Sequence, residues 1–461
     1  MRRKVEGMIA ADRKVSLAAS LLTVLLFGEV AAIGVDGPLL ATIAAMAELL
    51  VGAGVLLVLR PSITFWRTFA LPLVVAVLAW AWIASPTWFA VDPFGRQWSA
   101  PDMLPQASAR FLGGIAVLTS AAAIGWRRGG VRLTIDRWLL WGLIDIALAL
   151  ALRHYNSDAV WGLDKGDLRD RFTGTFLNAN AAGCYFAVLA VLALGRGLAL
   201  AFDRSTPSTF LIQVATPIAF LGGIGACAIT GSRTALLALV IAIILIGAQF
   251  GPQWMRQQRG NIRALAIGAG AIGLLLVFVL LGDATLERIS LLGEDWTGRT
   301  DMWSLYGRLA GQAPLGYGPG GFDDAALHGF ASIHEAHVAW YVHAPHNIVL
   351  SLLMTGGYPY LVLMVALAGA LLFPFFRRAH RLREPAVVAA VVALGLILIC
   401  ASTDIALDMP AIAAIAAMLA GLVWGRASRF VAGALSIQEE EEERRLLTNG
   451  SAGEPATSPS A

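Results

Sequence analysis

The sequence predicts an all-α protein that crosses a membrane about twelve times. Three observations carry that expectation. Of 461 residues, 57% are hydrophobic and 14% charged, against about a quarter charged in an ordinary soluble domain. The apolar residues gather in blocks of about 18–25, nearly free of charge, the length an α-helix needs to cross ~30 Å of hydrocarbon. Lysine and arginine divide unevenly between the two sides defined by alternating those blocks. This composition excludes a soluble enzyme, a nucleic-acid-binding module and a disordered scaffold. Cys184, Cys227 and Cys400 all lie inside apolar blocks. An odd, buried set suits neither a disulfide framework nor a thiolate metal site.

The first block, 15–35, follows the basic stretch MRRKVEGMIAADRKVS and has no small-residue cleavage site after it. It is expected to be a retained helix, not a cleaved signal. Blocks follow at 38–59, 69–90, 107–126 and 138–152, the last short and carrying Asp145. Residues 1–152 are thus read as an N-terminal five-helix region. Four more blocks, 178–202, 209–230, 233–250 and 261–281, precede a long hydrophilic segment. The last three, 346–373, 386–404 and 409–426, complete a second region over 153–426. From 427 to 461 the chain holds Glu439 to Glu443 and then Ser, Gly, Pro and Thr, the composition of a solvated, disordered tail.

Placing the N-terminus in the cytoplasm puts 24 of the 34 Lys and Arg residues on the inner side and 10 on the outer. That bias fits an even number of spans with both ends cytoplasmic. Two outer segments are long, 153–177 and 282–345. The second has 64 residues and holds His328, His334, His337 and His343, with His346 at its edge. Long connections of this kind carry function. The chemistry is therefore expected to face outward, where neither ATP nor NAD(P) is at hand.

Five stretches stand out. Thr230-Gly231-Ser232-Arg233-Thr234-Ala235 joins two blocks by a tight turn and sets Arg233 at a helix start. A guanidinium there adds to the positive helix end, an arrangement that invites a phosphate. Snorkelling to lipid head groups is the competing reading. Arg171-Phe172-Thr173-Gly174-Thr175-Phe176-Leu177-Asn178-Ala179-Asn180 enters the sixth block. Arg171 reads as a further phosphate ligand, and Asn178 or Asn180 as either substrate contacts or a helix cap. Gly298-Arg299-Thr300-Asp301-Met302-Trp303 offers Arg299, which could equally pair with Asp301 or a surface neighbour. Pro314 to Phe322, PLGYGPGGF, looks like a nucleotide loop but lacks the preceding strand. It is read as a turn-rich segment permitting close backbone approach.

The fifth stretch is His343-Ala344-Pro345-His346-Asn347, before Gly356-Gly357-Tyr358. Pro345 fits the first turn of the tenth span, which places His346 at its outer end. The helix end would hold the imidazole neutral, ready to accept a hydroxyl proton as a general base. A hydrogen-bonded interfacial histidine is the bland alternative. His334-x-x-His337 lacks a complete metal-ligand set. Arg308 either joins the site or balances nearby acids. Glu29, Glu48, Asp145 and Asp404 fall inside or at the ends of apolar blocks, where carboxylates are costly. Function and structural pairing are both open for them.

TGSRTALLAL, RFTGTFLNANAAG, GRTDMW, PLGYGPGGF and HAPHNIVLSLLMTGGYPYL occur in this layout between about 171 and 372. The ordered set resembles the bacterial O-antigen ligase and polymerase superfamily over somewhat less than half of the chain. The resemblance implies glycan transfer from undecaprenyl diphosphate to an acceptor hydroxyl at the periplasmic face of the inner membrane, without metal, cofactor or ATP. It maps catalytic roles onto Arg233, Arg299 and His346. In GRTDMW the tryptophan falls one place later than in the family's pattern. Arg171, Asn178, Asn180, His343, Asn347 and Arg308 become substrate-binding candidates, with Ala179 standing where the family's N-P-N motif has proline. The implied acceptor is lipid A–core, making the protein a ligase. A growing chain of repeat units, making it a polymerase, is the alternative. A lipid or sugar transporter is a further one, disfavoured by charges gathered on one face and by the lack of a half-chain repeat.

Overall fold

A computed structural model describes residues 2–89, 92–96, 98–169, 171–202, 208–257, 292–341, 344–378 and 384–429. They form fourteen helices and one short hairpin, Ala159–Val160 against Leu163–Asp164. The helices are α1 (Arg2–Ala31), α2 (Pro38–Leu59), α3 (Ile63–Ala84), α4 (Leu104–Trp126), α5 (Gly130–Tyr155), α6 (Ala179–Phe202) and α7 (Phe210–Thr230). There follow α8 (Arg233–Gln257), α9 (Leu292–Gln312), α10 (Gly321–Gly329), α11 (Ile333–Tyr341), α12 (Ile348–Arg378), α13 (Pro385–Thr403) and α14 (Pro410–Arg429).

The protein is an all-α polytopic membrane protein. Ten of these helices are long and apolar enough to cross a membrane: α1 to α4, α6 to α8 and α12 to α14. The expected fifth block, 138–152, is the C-terminal part of α5, whose first turns carry Arg132, Asp136 and Arg137. The expected block 261–281 lies outside the described residues, as do His343 and the tail beyond Arg429. At the centre stands α6, nearly all of whose first fifteen residues are buried. It packs against α5, α7, α8 and α13. Small residues permit this closeness, since tight van der Waals packing holds helices together in lipid. A β-carbon on Gly183 would lie 2.7 Å from the Ser232 Cβ, so α6 touches the turn between α7 and α8 directly.

Two expectations need correction. The segment 282–345 is not simply a loop: its described part holds α9, α10 and α11. Met302, Leu305, Tyr306 and Leu309 recur at helical spacing and bury against Ala325, Ala326 and Met354, the period that makes an amphipathic helix stable. Pro345 does not open the long helix either. That helix starts at Ile348, and Asn347 caps it: the Asn347 Oδ1 accepts from the backbone N–H of Val349 at 3.0 Å and of Leu350 at 3.2 Å. An asparagine satisfies the free amides of a first turn, which a proline two residues earlier does not.

The glycine-rich stretch does bring backbone against backbone. Tyr317 and Gly318 donate to the carbonyls of Met354 (2.7 Å) and Thr355 (3.1 Å), and Tyr358 donates to that of Pro314 (2.9 Å). Gly357 breaks α12 here with φ 69°. A β-carbon on it would meet the Pro314 oxygen at 2.1 Å, so only glycine fits.

Candidate active site

The short turn between α13 and α14 carries Asp404, a carboxylate buried to 5% exposure on which four distant parts of the chain converge. Its Oδ2 accepts a hydrogen bond from the Asn180 Nδ2 at the start of α6 and lies 3.7 Å from an Arg299 guanidinium nitrogen of α9. Its Oδ1 lies 3.7 Å from the His346 Nδ1, just before α12, and accepts from the Ile405 backbone N–H at 2.8 Å. Neighbouring Thr403 donates to Thr234 at the start of α8 (3.2 Å). Arg171 spans the remaining gap. It donates to the Thr230 carbonyl at the end of α7 (3.1 Å) and to the Asn180 Oδ1 (3.1 Å).

The Asn180 amide is thus fixed in one orientation, oxygen toward Arg171 and nitrogen toward Asp404. An amide offers one acceptor end and one donor end, and both are used.

The alternative that Arg299 pairs with Asp301 fails. Asp301 faces His334 at 2.8 Å instead. Arg233 begins α8, two residues after the left-handed Gly231 that caps the end of α7. The Ser232 Oγ accepts from the Ala235 N–H, so this helix start is capped as a tight turn requires. The turn that carries Arg233 and the turn that carries Asp404 therefore adjoin.

Other candidates have structural employment. The Asn178 Oδ1 caps α6, accepting from the N–H groups of Asn180 (2.8 Å) and Ala181 (2.9 Å). Asn347, besides capping α12, donates to the Ser402 carbonyl at 3.0 Å, tying the His346 segment to the end of α13. Arg308 pairs with Glu335 of α11 and donates to the Gly329 carbonyl. Nine residues after Arg299, it points to the opposite side of α9, since each residue turns a helix by roughly 100°. Asp145 sits apart in α5, accepting from the Thr175 hydroxyl at 3.2 Å.

Removing the cap by Asn178→Ala is expected to cost about 1 kcal/mol of stability. A lower thermal unfolding midpoint in detergent would register it.

His346 adopts φ 49°, a left-handed conformation that non-glycine residues enter rarely and at functional sites. Its pKa is pushed below the ordinary histidine value, by burial first. Asp404 opposes that shift and Arg299 reinforces it. Burial, not the helix end, is the leading cause of that shift. Nδ1 is the ring nitrogen turned toward the Asp404 carboxylate.

Asp404 is the residue whose role the sequence did not disclose. Its local signature, a carboxylate at the end of an apolar block, is shared with Glu29, which has no tie to this cluster.

Residues 218–365 match the O-antigen ligase family. They form an O-antigen ligase domain. No curated protein is similar enough to the chain to count as a match. The ligase domain runs from within α7 into α12 and so contains Arg233, Arg299 and His346. Arg171, Asn180 and Asp404 complete the cluster from outside it. With the domain comes the class of activity: glycosyl transfer of the O-antigen ligase or polymerase type, on lipid-linked glycans.

Proposed function

We propose that the protein transfers a glycan from undecaprenyl diphosphate to an acceptor hydroxyl at the periplasmic face of the bacterial inner membrane, and that the acceptor is lipid A–core. One observation carries the reading: Asp404 faces both His346 and Arg299 while holding Asn180. The His346 Nε2 takes the proton of the acceptor hydroxyl as its oxygen attacks the anomeric carbon. The bond from that carbon to the diphosphate breaks, and the diphosphate leaves with the electron pair. Arg299 and Arg233 meet the negative charge building on the leaving group, where preorganised donors do most for a rate. Arg299 retains a partly exposed guanidinium, 31% accessible, for that contact. Asp404 orients His346 and Arg299. Arg171 and Asn180 are positioning residues that hold Asp404 in turn. The donor is already activated, so the reaction needs no nucleotide.

Arg299→Ala and Arg233→Ala, each present in the membrane at the normal level, are expected to remove high-molecular-weight surface polysaccharide from a gel. An unchanged profile in both would refute the assignment. Deleting the gene distinguishes the acceptors. Long chains accumulating on the carrier lipid are expected of a ligase, and single repeat units would show a polymerase instead.

A further inference from the structure

A crevice of about 500 Å³ opens between α3 and α12, with α14 on its third side. It begins twenty residues along the chain from His346, at the end of the bundle away from Asp404. Its walls include Pro72 of α3 and Pro374 of α12, each of which interrupts the hydrogen-bond ladder of its helix. A β-carbon on Gly369 would meet no atom within 4 Å, so protein leaves the space beside it unfilled. Buried Trp424 closes one side, and Leu71 and Phe373 stand exposed at the others. The Thr68 hydroxyl is spent on the Thr64 carbonyl at 2.8 Å. An apolar cleft between membrane-spanning helices meets acyl chains, not water.

Charge identifies the lipid. Each helix that lines the crevice carries an exposed arginine where the lining ends: Arg67 beside Thr68, Arg377 beyond Pro374 and Arg429 beside Ser428. Arg377 follows Ala366, Ala370 and Phe373 at steps of four, three and four residues, which keep to one helix face. Among the described residues none of the three arginines has a carboxylate partner. Arg429 donates to the Trp126 carbonyl at 3.1 Å, and its charged neighbours are Arg426, Arg127 and Arg128. Glu384 pairs with Arg426 alone of these. No Asp or Glu occurs in 60–68, 122–130, 370–378 or 422–429, the stretches that form this end of α3, α4, α12 and α14. A general bias of cations toward one side does not require them to converge on a crevice. Phosphate is the anion that a guanidinium fork matches, and basic pockets between spanning helices are where anionic head groups bind.

We infer that the crevice binds one anionic phospholipid, with an acyl chain between α3 and α12 and its phosphate among Arg67, Arg377 and Arg429. The site is remote from Asp404 and stands independently of which glycan is moved.

The test titrates the delipidated full chain, in a neutral detergent, with phosphatidylglycerol or phosphatidylethanolamine and follows the thermal unfolding midpoint. Phosphatidylglycerol is expected to raise the midpoint saturably, and phosphatidylethanolamine to leave it unchanged. Arg377→Ala should weaken the apparent affinity by about tenfold or more. Gly369→Leu, which fills the crevice, should abolish the rise while keeping the midpoint of the lipid-free protein. Arg13→Ala, exposed on α1 away from the crevice, should change nothing. An equal rise with phosphatidylethanolamine, or no saturable rise with either lipid, would overturn the inference. So would a full phosphatidylglycerol effect in Gly369→Leu, or an equal loss in Arg13→Ala and Arg377→Ala. A rise that appears only after removal of residues 430–461 would also overturn it, giving the arginines to Glu439–Glu443 instead.

Discussion

His346→Ala is expected to lower glycan transfer by about 10²–10⁴-fold, the contribution of a positioned general base, with the protein still inserted at its normal level. The pH dependence makes the test sharper. A base works only when neutral, so activity falls as pH drops through the histidine pKa. Burial holds that pKa below the ordinary value near 6.5, so the acid limb of the wild-type profile is expected below pH 6.5. Arg299 depresses the pKa and Asp404 raises it. Arg299→Ala should therefore move the acid limb to higher pH, and Asp404→Asn should move it to lower pH. Transfer rates with purified protein and a lipid-linked donor across pH 4–9 check both signs.

The second large effect belongs to Asp404 itself. Asp404→Asn keeps the shape of the side chain but takes away the charge that Arg299 and His346 share. An asparagine can turn only one acceptor to this cluster, so either the Asn180 amide or the Ile405 N–H loses its partner. Leaving a buried polar group unpaired costs up to ~3 kcal/mol, equivalent to about 10²-fold in rate. The loss is expected in kcat, because the substituted group orients catalytic residues and does not itself bind the donor. A raised KM with kcat intact would instead place Asp404 in ground-state binding.

Much of this was legible in the chain. The apolar blocks anticipated the spanning helices because a 3.6-residue helix crossing lipid must be apolar along its whole length. The TGSRTA turn and the PHN segment located Arg233 and His346 because tight turns and helix starts have local chemistry. Asp404 had no such signal. Its meaning depends on Asn180, Arg299 and His346, which lie 224, 105 and 58 positions away, and nothing local separates it from Glu29. The helices α9 to α11 were overlooked for a different reason. Glycine and alanine are the commonest residues of that stretch, while the apolar period from Met302 to Leu309 spans only two turns. Asn178 was readable both ways, and the cap prevailed because a first turn with unpaired amides needs an acceptor.

The unity of the cluster is tested most directly by a double-mutant cycle on transfer rate, using His346→Gln, Asp404→Asn and the pair together. If Asp404 acts through His346 and Arg299, the double variant will be scarcely slower than His346→Gln alone, because groups that act as a unit are lost together. Losses that simply multiply would contradict the account, for they would mean that the carboxylate and the imidazole work at separate places.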